Sequence, residues 1–350
     1  MNINSLRQIA ENFQKELEDS SRGKQTSISF IRNKIGGPQS LQEREVFEVL
    51  VIGGRVYKKA LFRKENDIVT ILSKERGMQP IFKTKEDLFA FLTGKVHADI
   101  AILALNFAYP LKQHGTLVSG SKENTFQGLV GKSIEKSIRD HFKSKRKKVI
   151  HVSVANDTIC LLLAGLLKKP WNQLACGIVG AGLNFALFLD QHTAINLEAA
   201  NFNKFPQTEE GKLVDASSSY PGKALIEKEV SGAYLYRHFN EIVKRKDIGT
   251  PEITETKQLS HIAKHGEPKT AQIASHLLQR SAQLVGALIA GMLRFHQRDL
   301  TFVMEGSLFW RGYRYEETVK ETVRKLTFRY DAYFIRIPDS DIVGGAKLIL

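Results

Sequence analysis

Twice in this chain the same order of elements is written: three short strand-like segments joined by brief connections, then alternating helical and strand-like stretches. The first run is VFEVLVIGG at 46–54, VYKKALF at 56–62 and IVTIL at 68–72, rich in β-branched and aromatic residues and broken by Gly or polar positions. The second is LACGIVG at 174–180, NFALFL at 184–189 and TAINLE at 193–198. A β-meander written twice, each copy trailed by helices and strands, predicts an α/β protein of two lobes, each with its own mixed sheet. The boundary falls near Pro170, giving residues 1–170 to one lobe and 171–350 to the other, with the ligand expected in the cleft between them.

The remaining pattern fits that plan. Leu6, Ile9, Phe13 and Leu17 recur at helical spacing, so an amphipathic helix over 5–19 opens the chain. Residues 36–40 are a breaker; 85–92, 131–142 and 158–167 read as helices, 100–107 as a buried strand and 149–154 as another. In the second half, helices are expected over 226–244, 268–297 and 315–326, strands over 300–305 and 332–337, and a last helix starting at Gly345.

Composition removes several classes of function. The apolar run needed for a membrane span is absent, and the first residues lead into a polar helical pattern without a signal core, so a cytoplasmic protein is expected. The 2 cysteines, Cys160 and Cys176, sit in apolar segments and offer neither a disulfide framework nor a zinc motif. The charge is unusual: 51 basic and 37 acidic residues leave +14. Such a surplus favours polyanions, whether nucleic acid, membrane surface or nucleotide phosphate. Its densest run, KSKRKK at 143–148, reads as a solvated helix end, and no nucleic-acid signature accompanies it.

Two glycine motifs fail their usual assignments. GLVGKS at 128–133 has two residues where the phosphate loop of nucleotide-binding proteins needs four, and GIVGAG at 177–182 lacks the dinucleotide order. The latter is instead a turn between strands whose main-chain amides can approach an anion. Asn156 and Asp157 close a strand and open a helix, which suits an N-cap as well as a catalytic pair.

Taken in order along nearly the whole chain, these pieces resemble the hexokinase family of sugar kinases, within the actin-like ATPase superfamily. FQKEL at 13–17 and SISFIRN at 27–33 are similar to the family's first helix and its SLKMLPT segment. IGG at 52–54 stands where the loop DLGGTNFR belongs, FAYP at 107–110 where FSFP belongs, and Ser121-Lys122 where Thr-Lys belongs. VANDT at 154–158 is similar to VNDT, GAGLN at 180–184 to GTGTN, and INLE at 195–198 to INxE. Pro221, Gly222, Glu227, Lys228, Ser231 and Gly232 follow PGxxxxEKxxSG; EGSLF at 305–309 follows DGSVY, and Gly345-Ala346 the final GAAL.

The resemblance implies transfer of a phosphoryl group from ATP to the 6-hydroxyl of a hexose. It implies Asp157 as general base and Lys122 beside the transferring group, with Ser121, Asn156, Asn184, Glu198 and Glu227 holding the sugar. Nucleotide contacts fall to Gly53, Gly54, Arg55, Gly180, Ala181, Gly182, Gly306, Ser307 and Gly345. Magnesium is expected only through the nucleotide phosphates, and no protein metal ligand is assigned. The expected partners are a hexose and ATP; membrane and nucleic acid are not expected. Departures are specific. Ala108 replaces the serine of FSFP, Ala199 a tryptophan, Val51 the loop aspartate that organises magnesium, Arg55 the loop threonine and Ala181 the middle threonine of GTGT. The chain also stops at Leu350, where the family continues into a closing helix. These departures leave open a hexokinase-like sugar-binding or regulatory protein without phosphoryl transfer.

Overall fold

The computed structural model describes residues 1–36, 41–66, 68–112, 115–121, 123–145 and 151–350. In chain order the elements are α1 (Ile3–Ser21), β1 (Ile31–Lys34), β2 (Val46–Gly53), β3 (Val56–Glu65), β4 (Ile68–Met78), α2 (Lys85–Lys95), β5 (Ile102–Phe107), β6 (Leu111–Lys112), β7 (Thr116–Leu117), α3 (Ile134–Ser144), β8 (His151–Ala155) and α4 (Asp157–Ala164). There follow β9 (Leu174–Val179), β10 (Leu183–Asp190), β11 (Thr193–Asn196), α5 (Glu209–Ala216), α6 (Leu225–Val230), α7 (Leu235–Arg245), α8 (Thr256–His265) and α9 (Pro268–His296). The last are β12 (Leu300–Glu305), α10 (Ser307–Arg311), α11 (Tyr315–Leu326), β13 (Ala332–Ile335) and α12 (Ser340–Ala346).

The chain forms two compact units that are discontinuous in sequence. One comprises residues 1–30, 173–186 and 196–336; the other comprises 31–172, 187–195 and 337–350. The contiguous division at residue 170 differs from this partition in the first helix, the last helix and a short central segment. Sequence order alone cannot show that α12 returns to β2 and α4, because helix and sheet are hundreds of residues apart.

In the second unit the sheet runs β4-β3-β2-β5-β8, antiparallel among β4, β3 and β2 and parallel from β2 through β5 to β8. The meander read from 46–72 is therefore present. Strand alternation sorts the sheet's two faces. Leu50, Ile52, Leu103, Leu105 and Phe107 join Leu88 and Leu92 of α2 and Ile138 and Phe142 of α3 on one face. Phe47, Val49, Ile102 and Ala104 meet Ile342, Ala346 and Ile349 on the other. Covered on both faces, β5 is buried at every position, in keeping with a sequence that is apolar except at Asn106.

The first unit is organised around α9, a helix of 29 residues. It is packed by α1, α6, α7, α8 and α11, beside parallel strands β9, β12 and β13. Pro268 stands in its first turn, and Gln297 caps its end at φ 54°. Asn2 starts α1 by accepting a hydrogen bond from the Ser5 N–H at 2.8 Å, and the stripe Leu6, Ile9, Phe13 and Leu17 is buried as expected.

Several boundaries depart from the sequence reading. The helix expected over 226–244 is two helices, α6 and α7, because Gly232 turns away to donate its N–H to Gly180 O at 2.7 Å. The last helix begins at Ser340 and ends near Gly345 rather than starting there; Gly344 and Gly345 are spent on close packing against Cys160 and Val49. The strand expected over 193–198 stops at Asn196, and Glu198 takes a left-handed conformation at φ 48°. Strand β1 and helices α5, α8 and α10 were not read from the sequence.

Candidate functional site

The residues singled out by sequence fall into two sets, one in each unit. In the second unit, β2 and β3 are closed by a two-residue turn, Gly54-Arg55, with Gly53 paired to Val56. Gly54 sits at φ 62°, a conformation that glycine adopts without strain. A side chain at position 53 would meet the Ala108 methyl at 2.5 Å, so the loop and the segment after β5 can approach only with a hydrogen there. Gln79 ties the turn down, donating from Nε2 to Gly54 O at 2.8 Å and from its N–H to Arg55 O at 3.1 Å. Arg55 pairs with Glu123 at 3.1 Å, and its side chain is 76% exposed. Val51 packs on the apolar cluster of Phe47, Val49, Ile342 and Ala346.

Beside this loop in sequence order, β8 runs into α4 with Asn156 as N-cap. Its Oδ1 accepts the Thr158 N–H at 3.0 Å and its Nδ2 donates to Tyr109 O at 3.2 Å. Asp157 opens the helix, its Oδ1 accepting from Thr158 N at 2.7 Å and from the Thr158 hydroxyl at 3.2 Å. Burial pushes the Asp157 carboxyl above its ordinary value, against the hydrogen bonds from Thr158 and Asn156 that pull it down. A carboxylate held in place by its neighbours, and made more basic by desolvation, is suited to accept a proton. Ser121 turns its hydroxyl back to accept the Asn124 N–H at 3.0 Å. Lys122 lies outside the described residues.

The first unit carries the other set. Gly180, Ala181 and Gly182 form the turn between β9 and β10, closed by Gly180 N–H donating to Gly182 O at 3.0 Å. Gly306 sits opposite at φ 113°; any Cβ on it would lie 2.1 Å from Val179 O, and one on Gly180 would lie 3.2 Å from Gly306 Cα. These two backbones touch directly, and only glycines permit it. Ser307 is the first residue of the short helix α10. Gly182 leaves room for Glu227, whose Oε2 accepts the Leu183 N–H at 3.0 Å. Loss of solvation raises the Glu227 carboxyl above its ordinary value, and the charge of Glu198 adds to that.

Asn184, Glu198 and Glu227 are thus neighbours, as the resemblance implied, but their arrangement depends on Asn196, which that reading quoted only as part of a motif. Asn196 is 1% exposed. Its Oδ1 accepts from Asn184 Nδ2 at 2.8 Å, and its Nδ2 donates to Glu198 Oε1 at 2.8 Å. The Asn184 Oδ1 in turn accepts the Ala199 N–H at 3.2 Å. A second missed element is Lys228, fully buried, which holds Asp215 at 2.5 Å and Tyr220 O at 2.8 Å and so fixes the loop before α6. Its place beside Glu227 in an EK pair was the available signal. Gly345 belongs to neither set in geometry: it is buried against Val49.

Among the described residues, no group of three or more His, Cys, Asp or Glu side chains could hold a metal ion. No described helix is long and apolar enough to cross a membrane.

The hexokinase family model matches residues 1–167. Hexokinase-2 of Arabidopsis thaliana is 24% identical, the alignment covering 93% of this chain and 82% of that protein. The hexokinase of Schistosoma mansoni is 26% identical over 71% of this chain and 68% of its own length. Among solved structures, the Schistosoma mansoni hexokinase complexed with glucose superposes with a TM-score of 0.79 at 21% identity, covering 100% of this chain and 95% of that one. A ROK family glucokinase from Streptomyces griseus, in complex with glucose and AMPPNP, gives 0.58 at 16% identity over 87% and 98%. These likenesses show the fold: an α/β architecture shared with solved hexokinase structures. The chain is similar to the hexokinase family over residues 1–167 and to individual hexokinases over most of its length.

Proposed function

We propose that this protein transfers the γ-phosphoryl group of ATP to the 6-hydroxyl of a glucose-like hexose. The observation that carries this reading is the Asp157 carboxyl, raised by burial and fixed at the start of α4 by Thr158. It accepts the proton as the hydroxyl oxygen attacks phosphorus, and the bond from the γ-phosphorus to the bridging oxygen breaks, leaving ADP. Asn156, Ser121, Asn184, Glu198 and Glu227 are assigned to the sugar on the resemblance; amides and carboxylates suit vicinal hydroxyls because they accept and donate in pairs. Asn196 and the buried Lys228 position those groups without touching the sugar. Lys122 is assigned to the transferring phosphoryl group on the resemblance alone.

Nucleotide contacts are assigned, on the resemblance, to Gly53, Gly54 and Arg55 and to the Gly180–Gly182 turn with Gly306 and Ser307. Gly345 is not retained. A magnesium ion does not fit as a protein-bound cofactor at Val51, since an aliphatic side chain packed in an apolar cluster offers no oxygen ligand. Any magnesium is carried by the nucleotide phosphates.

Purified protein, given ATP and one hexose at a time, should consume ATP only when sugar is present and release a sugar 6-phosphate. No consumption with any hexose or nucleoside triphosphate, while glucose still binds, would overturn the reading in favour of a sugar-binding protein.

A further inference from the structure

The face of the sheet next to the glycine hairpin carries an unusual row. Val51 of β2 is directly paired with Lys58 of β3, and Lys58 with Arg76 of β4. Residues opposite one another in an antiparallel ladder share a face, so a lysine and an arginine stand side by side where like charges are normally destabilising. Two carboxylates bear on them: Asp341, in the first turn of α12, lies 2.5 Å from Lys58 Nζ, and Asp339, paired with Lys74, also interacts with the Lys58 charge. Arg76 is exposed and has no ion pair among the described residues. A third cation, Arg55, stands at the tip of the same hairpin, tethered by Glu123 but largely open to solvent. Cations thus follow Gly54 at the hairpin tip and along β3 and β4, and Val51 stands where the family's loop carries a metal-organising carboxylate.

We infer that this loop recognises the polyphosphate chain itself through Arg55, Lys58 and Arg76, so that nucleotide binds here about equally well with and without its magnesium ion. The inference rests on the kinase reading for the presence of nucleotide, and goes beyond it in assigning charge neutralisation to side chains. The physical basis is direct. A carboxylate beside the phosphates would repel the bare tetraanion and select the metal complex, whereas fixed cations attract both forms and gain most from the more highly charged one. Val51 removes the repulsion, and the Lys58–Arg76 row supplies the attraction.

Calorimetric titration at fixed ionic strength tests this, with ATP in excess EDTA, ATP with saturating magnesium, and inorganic tripolyphosphate in EDTA. The wild type should bind the two forms of ATP within about threefold of each other, and tripolyphosphate should compete with both. Lys58→Met and Arg76→Met should each weaken both forms by about fivefold, and Lys58→Arg should retain binding. Val51→Asp should shift preference toward the magnesium form by about tenfold, by repelling the bare anion. Glucose binding and the melting temperature report whether each variant is folded. A wild-type preference of about tenfold or more for the magnesium form would overturn the inference while leaving the kinase reading intact. Unchanged affinity in both Lys58→Met and Arg76→Met would also overturn it. If neither form of ATP binds although glucose does, the inference and the kinase reading fail together.

Discussion

Asn196 shows how much at the residue scale depends on a side chain that touches no ligand. Buried and bonded to both Asn184 and Glu198, it fixes the rotamers of two groups assigned to the sugar. Replacing it with alanine should lower hexose affinity by about tenfold, the equivalent of one or two hydrogen bonds lost or misdirected. Titration with glucose checks this, and unaltered affinity in a folded Asn196→Ala protein would show that Glu198 holds its place unaided. Asp157, Asn156, Glu198 and Glu227 were singled out as site residues in the sequence only through the family resemblance of the motifs VANDT, INLE and PGxxxxEKxxSG. Asn196 was not, because a polar residue at the end of a strand gives no local sign of which neighbours it will reach. Lys228 was hidden in the same way: only the folded loop shows a fully buried ammonium paired with Asp215.

The strand β2 carries a second buried carboxyl with its own consequence at the scale of elements. Glu48 is 1% exposed, and its Oε1 has no hydrogen-bond partner. Desolvation raises it from 4.5 to about 7, although Lys59 opposes the shift. A carboxyl raised on folding contributes most while it stays protonated, so its contribution is complete below about 4.5 and is lost as pH rises through about 7. His296, at the end of α9, has the opposite sign: burial lowers it to about 4, so stability is lost as pH falls from 6.5 toward that value. Glu48→Gln should therefore stabilise the protein by about 3 kcal/mol at pH 8 and by little at pH 4, leaving the histidine slope exposed. Urea unfolding at the two pH values measures it, and an equal gain at both would contradict the assignment. Most elements were legible from apolar periodicity, as in α11, and in α1 a capping Asn2 coincides with it. The single helix expected over 226–244 failed because periodicity continues across Ser231 and Gly232, while the break is imposed by a distant partner, Gly180.

For the whole molecule, the two α/β units were legible as a repeated plan, but their membership was not. Residues 1–30 join the later segment and residues 337–350 the earlier one, through packing that local sequence does not encode. The net charge of +14 also acts at this scale. Many of the basic residues sit in exposed ion pairs such as Lys320–Glu316 and Arg139–Glu135, which are locally neutral. A surface of that kind should bind duplex DNA only weakly and lose it steeply with salt, so fluorescence anisotropy at about 150 mM salt should give affinities weaker than micromolar. Tighter binding that persists there would point to a nucleic-acid function. The central claim remains phosphoryl transfer with Asp157 as base, and turnover set against glucose affinity in Asp157→Ala tests it most directly. Losing the proton acceptor should cut sugar-dependent ATP consumption by about 10² to 10⁴-fold while glucose affinity falls much less. Equal turnover in the wild type and Asp157→Ala, or none in either, would contradict the account.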